Sequence, residues 1–137
     1  QQYGRMQTRL RICQQEDHSR IRQELQRAEN DYRENEFLLQ KNVESSRSPA
    51  VAALSDAQLS YFQKAKELLE TELPEYLSSE AGTPAESCME AAALYTEYAI
   101  DFAVQSMRYA LVAALKAIDL QMSAEENNEQ KEEFNHE

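Results

Sequence analysis

The chain has 137 residues, including 2 glycines and 3 prolines, and a net charge of −11 at neutral pH. So few turn-forming residues, in a composition rich in Ala, Leu, Glu and Gln, predict a small number of long helices. The acidic charge and the lack of a basic run argue against a nucleic-acid partner, because Lys and Arg must neutralise the phosphates. We therefore expect an all-α protein that binds no nucleic acid.

Charge is divided unevenly along the chain. Residues 1–50 contain 9 Lys and Arg against 8 Asp and Glu, whereas residues 51–137 contain 5 against 17. The arginines of the first part indicate a solvated helix face, with a basic edge as the alternative. Candidate contacts of such an edge with a membrane or an anionic partner are Arg20, Arg22 and Arg27. The acidic remainder weakens attraction to anionic membranes.

The first predicted helix covers about residues 2–46, which contain no proline. Leu10, Ile21, Tyr32 and Val43 recur every 11 residues, a spacing that keeps one face in register along a nearly straight helix. At about 1.5 Å per residue such a helix approaches 65 Å, which predicts an elongated molecule.

Two proline-containing segments mark the starts of the next helices. Ser48 and Pro49 suit the N-cap and first position of a second helix over about residues 49–73, which Pro74 ends or kinks. Thr83-Pro84-Ala85-Glu86 predicts a capping box at the start of a third helix over residues 84–122. Both Ser/Thr-Pro pairs also match proline-directed phosphorylation sites. Residues 123–137 are acidic and polar, which predicts a disordered tail.

The third helix carries one narrow polar stripe through otherwise apolar sequence. Two neighbouring helices from so short a chain cover only part of such a helix, so we expect the rest to contact a second copy or a protein partner. Its alanines allow close approach of helix backbones, and its tyrosines suit protein contacts. The predicted interface residues are Leu94, Tyr95, Tyr98, Phe102, Ala103, Tyr109, Ala110, Val112 and Ala113.

The motifs of enzymes and of cofactor sites are missing from the sequence. There is no Gly-rich phosphate loop, GxSxG or HExxH motif, so we expect no catalytic residue, no cofactor and no enzyme activity. A bundle metal site needs two Glu-x-x-His pairs, and only Glu133 and His136 form one, so no metal is expected. Cys13 and Cys88 are isolated thiols, which indicates a reducing, cytoplasmic location.

Two helical segments carry a resemblance to a known family. The matching positions are Glu24, Leu25, Ala28, Glu29 and Tyr32, followed by Leu54, Ala57, Gln58, Tyr61 and Phe62. These segments resemble BAR domains near the end of their second long helix and in their third helix, and the resemblance extends over about residues 20–77. It implies an elongated helical homodimer whose curved basic surface binds and bends membranes.

Together these patterns predict an all-α, elongated antiparallel three-helix unit with long helices, forming one domain over residues 1–122 within a larger bundle or homodimer. The predicted function is a non-enzymatic scaffold or adaptor that binds a protein or itself through the third helix. The alternative is a BAR-like membrane-remodelling dimer. The longest uncharged run of the third helix, residues 109–115, is too short to span a bilayer. Because the chain starts at Gln1, we expect a segment of a longer protein.

Overall fold

The structure is a computed structural model that describes residues 2–13, 17–78 and 82–136. Its elements are α1 (Gln2–Cys13), α2 (His18–Ser45), α3 (Pro49–Glu67), a π-helical turn (Leu68–Glu72), α4 (Leu73–Tyr76) and α5 (Pro84–His136). These ranges contain no strand. The predicted all-α class with long helices is therefore confirmed.

The chain divides into two compact units, Gln1–Lys66 and Glu67–Glu137. The first contains α1, α2 and almost all of α3, and the second contains the π-helical turn, α4 and α5. The domain predicted over residues 1–122 contains the first unit and most of the second. The division falls inside a helical segment, where neither glycine nor proline marks it.

In the first unit, Asp17 starts a new helix, so the prediction of one helix over residues 2–46 was wrong. Asp17 has extended backbone angles (φ −74°, ψ 169°), and its carboxylate accepts a hydrogen bond from the Arg20 N–H at 2.9 Å. A short acidic side chain that caps N–H groups favours a helix start over a helix interior. The Arg9 guanidinium then pairs with Glu24 at 3.0 Å, connecting α1 to α2. The predicted length of about 65 Å for one continuous helix is therefore also wrong. Residues 14–16 lie outside the described part of the chain.

The buried residues of α3 lie on one face of this helix. Ser55, Leu59 and Ala65 are buried, with Leu59 only 5% exposed. The ring of Phe62 on the same face meets Tyr32 of α2 edge to face, with 5.8 Å between ring centroids. On α2, Ile21 and Val43 are half-buried. Three residues of the predicted 11-residue series, Ile21, Tyr32 and Val43, therefore lie on the packed side of α2. The side chain of Leu10, the fourth, lies outside the described part of the chain.

In the second unit, the helical backbone widens immediately before Pro74. Proline has no N–H, and its ring crowds the carbonyl four residues earlier in an α-helix. The Leu73 N–H donates to the Leu68 carbonyl, five residues back, which is the π-helical register. The chain then forms α4, and the Leu77 N–H donates to the Leu73 carbonyl at 3.0 Å. Of the two predicted alternatives, that Pro74 ends or kinks the second helix, the first is wrong, because the helical path continues through Pro74 into α4. This short helix packs on α5.

The predicted helix starts at Ser48 and Thr83 are both present. The Val51 N–H donates to Ser48 Oγ at 3.3 Å. The Glu86 N–H donates to Thr83 Oγ1 at 3.2 Å, and the Thr83 N–H donates to Glu86 Oε2 at 3.4 Å, which completes the capping box.

From this start α5 continues for 53 residues to His136. Residues 123–136 were predicted to be disordered, but they are helical. They contain no glycine or proline and are rich in Glu and Gln, which are strong helix formers. The Gln121 side chain also donates to Glu125 at 3.4 Å across one helical turn. Because this segment is polar, it gains little from packing against another helix, but it keeps its high helix propensity.

Candidate interaction surface

The burial of α5 changes abruptly along its length. In the proximal part, residues 84–104, Ser87 and Ala91 are buried, and Ala91 is 0% exposed. Six further positions there are half-buried: Leu94, Tyr95, Ala99, Ile100, Ala103 and Val104. In the distal part, residues 105–136, every residue is exposed. The described part of the chain therefore covers the start of α5 and leaves the rest open.

Large apolar side chains continue into this open distal part. Met107, Leu111, Leu115, Ile118 and Met122 are each between 52% and 61% exposed. At about 100° per residue, their spacing places all five within an arc of about 80° on one face of the helix. We call these five residues the distal stripe. The half-buried Ile100 and Val104 lie on the same arc and continue it toward the proximal part.

The distal stripe follows an 11-residue repeat. Ile100, Leu111 and Met122 are spaced by 11 residues, as are Val104 and Leu115, and Met107 and Ile118. A repeat of 11 residues over three turns keeps an apolar face nearly straight along a helix. The same repeat was predicted for the first helix, from Leu10 to Val43, and was not predicted for the third.

The nine predicted interface residues lie on a different part of the helix circumference from the distal stripe. Leu94, Tyr95 and Ala103 are half-buried within the chain. Tyr98, Phe102, Tyr109 and Val112 are 68%, 49%, 70% and 47% exposed, and Ala110 and Ala113 are exposed as well. Polar residues such as Gln105 and Lys116 interrupt this predicted face. The distal stripe lacks such interruptions and was missed because the prediction emphasised tyrosine and alanine.

Acidic residues limit the apolar surface at its C-terminal end. After Met122 the same arc continues with Glu125, Glu129 and Glu133, all exposed. Carboxylates on the same face remove any apolar contact beyond Met122 and add negative charge. The apolar part of this face therefore covers residues 100–122, a length of about 33 Å at 1.5 Å per residue.

The arginines singled out in the sequence lie on α2. Arg20, Arg22 and Arg27 are exposed. The Arg27 guanidinium pairs with Glu24 at 3.2 Å, and the same Glu24 also pairs with Arg9. The hydrogen bonds from the Arg20 N–H and the Ser19 hydroxyl hold the pKa of Asp17 below its usual value, which keeps this carboxyl ionised beside Arg20. Part of the positive charge is thus balanced locally.

The described residues contain neither a metal-binding cluster nor a membrane-spanning helix. No group of three or more His, Cys, Asp or Glu side chains there is arranged to hold a metal ion. Cys88 is a free, exposed thiol, and the side chain of Cys13 lies outside the description. Over the same ranges, none of the helices combines the length and the apolar character that crossing a bilayer requires.

Comparison of the chain with protein-family models, curated proteins and solved structures yields no match.

Proposed function

We propose that the chain is a non-enzymatic helical interaction module, a scaffold or adaptor that associates through the distal part of α5 in a coiled-coil-like contact. The observation that carries this proposal is the run of large apolar side chains left open over residues 107–122. Contiguous exposed apolar surface of this kind marks protein contact sites in other proteins. The isolated thiols favour a cytoplasmic setting.

Leaving the distal part of α5 without a neighbouring helix costs free energy. A helix without tertiary packing is marginal in water, because propensity alone barely offsets the ordering of the backbone. Burying a Leu, Ile or Met side chain contributes about 1.5–3 kcal/mol, so pairing the distal stripe stabilises the helix as well as the contact. Association and helix formation over residues 105–122 are therefore coupled.

Self-association is tested by solution mass from light scattering. The wild type is expected to exceed the monomer mass of 15.8 kDa and to approach it on dilution. Leu111→Glu with Leu115→Glu places two charges in the distal stripe and is expected to give the monomer mass throughout. The matched control, Gln105→Glu with Ala113→Glu, adds the same charge at exposed positions outside the stripe and is expected to keep the wild-type mass. A monomeric wild type at every concentration would contradict self-association through α5.

A second candidate function is membrane binding by a BAR-like dimer, favoured by the exposure of Arg20 and Arg22 on α2. Salt-sensitive pelleting with anionic vesicles supports it if the charge reversal Arg20→Glu, Arg22→Glu, Arg27→Glu abolishes the pelleting. The control reverses three basic residues elsewhere, Arg47, Lys64 and Lys66, for the same total charge change. Equal loss in both variants indicates a net-charge effect, and absence of pelleting in the wild type contradicts membrane binding.

A further inference from the structure

The spacing of the apolar positions on α5 has a symmetry that a helix pair can use. From Ile100 through Val104 and the distal stripe to Met122, successive separations are 4, 3, 4, 4, 3 and 4 residues. This series is the same in both directions, and Leu111 is at its centre. Two copies running in opposite directions therefore match all seven positions when Leu111 of each lies at the twofold axis.

This register places apolar residues opposite each other throughout. Ile100 lies opposite Met122 of the second copy, Val104 opposite Ile118, and Met107 opposite Leu115. Two helices with such apolar faces pack well only when the apolar positions of one lie opposite those of the other. Any other antiparallel register therefore leaves some of the seven apolar residues opposite alanine or a polar residue. The pattern also fits a parallel pair, and charge decides between the two orientations.

Charge favours the antiparallel orientation. In a parallel pair, Glu125, Glu126, Glu129, Glu132 and Glu133 would each lie beside the same residue of the other copy, and like charges at close range repel. In the antiparallel pair, these segments extend in opposite directions. Glu125 then meets Glu97 of the second copy and Glu132 meets Glu90, at each outer end. The other three, Glu126, Glu129 and Glu133, lie opposite Thr96, Ala93 and Met89, which carry no charge.

We propose that the distal stripe is covered by a second copy of this chain, with the two α5 helices antiparallel and Leu111 at the twofold axis. This inference rests on the proposed function and gives its partner and geometry. The interface is the face containing the distal stripe, while the predicted face with Tyr109 and Val112 remains accessible.

Disulfide cross-linking of the full chain tests the register. In a background with Cys13→Ser and Cys88→Ser, Leu111→Cys is expected to form a covalent dimer under mild oxidation. Met122→Cys alone is expected to cross-link at least tenfold less, because its counterpart lies about 33 Å away along the helix axis. Mixing Met122→Cys with Ile100→Cys is expected to restore the covalent dimer, in mixed form.

A spin-label distance provides a readout that leaves the apolar face intact. Gln130→Cys, labelled in the same background, is expected to give a distance of about 57 Å between copies, from 38 residues of helix at 1.5 Å each. Distances near 20 Å, or equal cross-linking of Met122→Cys and Leu111→Cys, would establish a parallel pair and overturn the antiparallel proposal. A dimeric background protein without a Leu111 cross-link would also overturn it while leaving self-association intact. A monomeric background protein would overturn both proposals.

Discussion

The proximal part of α5 and residues 105–122 of its distal part belong to one uninterrupted helix and have similarly apolar sequences, but their surroundings are opposite. Ala91 in the proximal part is fully buried, whereas Leu111 in the distal part is 61% exposed. Apolar composition therefore predicts that a helix needs cover without revealing which molecule provides it. In the proximal part the chain supplies the cover, and in the distal part we attribute it to a second copy.

The largest expected effect contrasts one alanine from each part. Ala91→Glu places a charge where no water reaches, and an uncompensated buried charge costs about 3–5 kcal/mol. Ala113→Glu makes the same change at an exposed distal position outside the distal stripe, and we expect less than about 0.5 kcal/mol. Urea unfolding of both variants gives the comparison, and equal stabilities would show that the two parts do not differ in burial.

A similar contrast applies to two leucines of α3. Leu59 is 5% exposed, so Leu59→Ala is expected to lower the free energy of unfolding by about 2–5 kcal/mol through lost contacts and a cavity. Leu54 is 67% exposed, and Leu54→Ala is expected to cost less than about 0.5 kcal/mol. Thermal or urea denaturation separates the two, and a larger cost for Leu54 would reveal that a contact outside the chain covers that residue.

A moderate effect is expected at the start of the proximal part. Thr83→Ala removes the acceptor for the Glu86 N–H and should cost about 1 kcal/mol. Thr96→Ala provides the control, because Thr96 lies inside the helix, where alanine has the higher helix propensity. We expect the control to be neutral or slightly stabilising in the same unfolding measurement. If Thr83→Ala is equally harmless, the capping box does not hold the helix start.

The smallest effect concerns pH at the start of α2, far in sequence from the distal part. The pKa of Asp17 is lower in the folded protein, chiefly through the hydrogen bond from the Arg20 N–H. Its stabilising contribution is therefore complete above the unfolded pKa of about 3.9 and is lost as the pH falls through the lower folded value. Amide exchange at Arg20 and Ile21 should rise over this acid range beyond the intrinsic pH dependence of exchange. Asp17→Asn keeps a capping oxygen and should lack that added rise, so an identical rise in this variant would exclude Asp17 as its cause.

Much of the fold follows from local chemistry in the sequence. Scarce glycine and proline predicted long helices, and the Ser48 and Thr83 caps were placed correctly because their acceptors lie beside helix-forming segments. The break at Asp17 was missed because continuous amphipathic spacing on both sides outweighed one capping residue. The helical segment 123–136 was missed because a lack of apolar residues was taken as a lack of helix propensity.

The candidate surface was predictable only in part. Sequence indicated that the third helix needs a partner, yet the choice of face depended on knowing which positions the chain itself covers. The predicted interface residues Leu94, Tyr95 and Ala103 are half-buried within the chain, as are Ile100 and Val104 at the proximal end of the proposed interface. The distal stripe was recognisable from its 11-residue repeat, although its exposure depends on packing that no local pattern determines.

Hydrogen–deuterium exchange at a series of protein concentrations tests the central claim most directly. If a second copy covers the distal stripe, the amides of residues 107–122 become more protected as the concentration rises, and those around Ala91 keep the same protection throughout. Distal exchange that stays fast at every concentration would contradict this account, as would protection that is already complete in the dilute monomer.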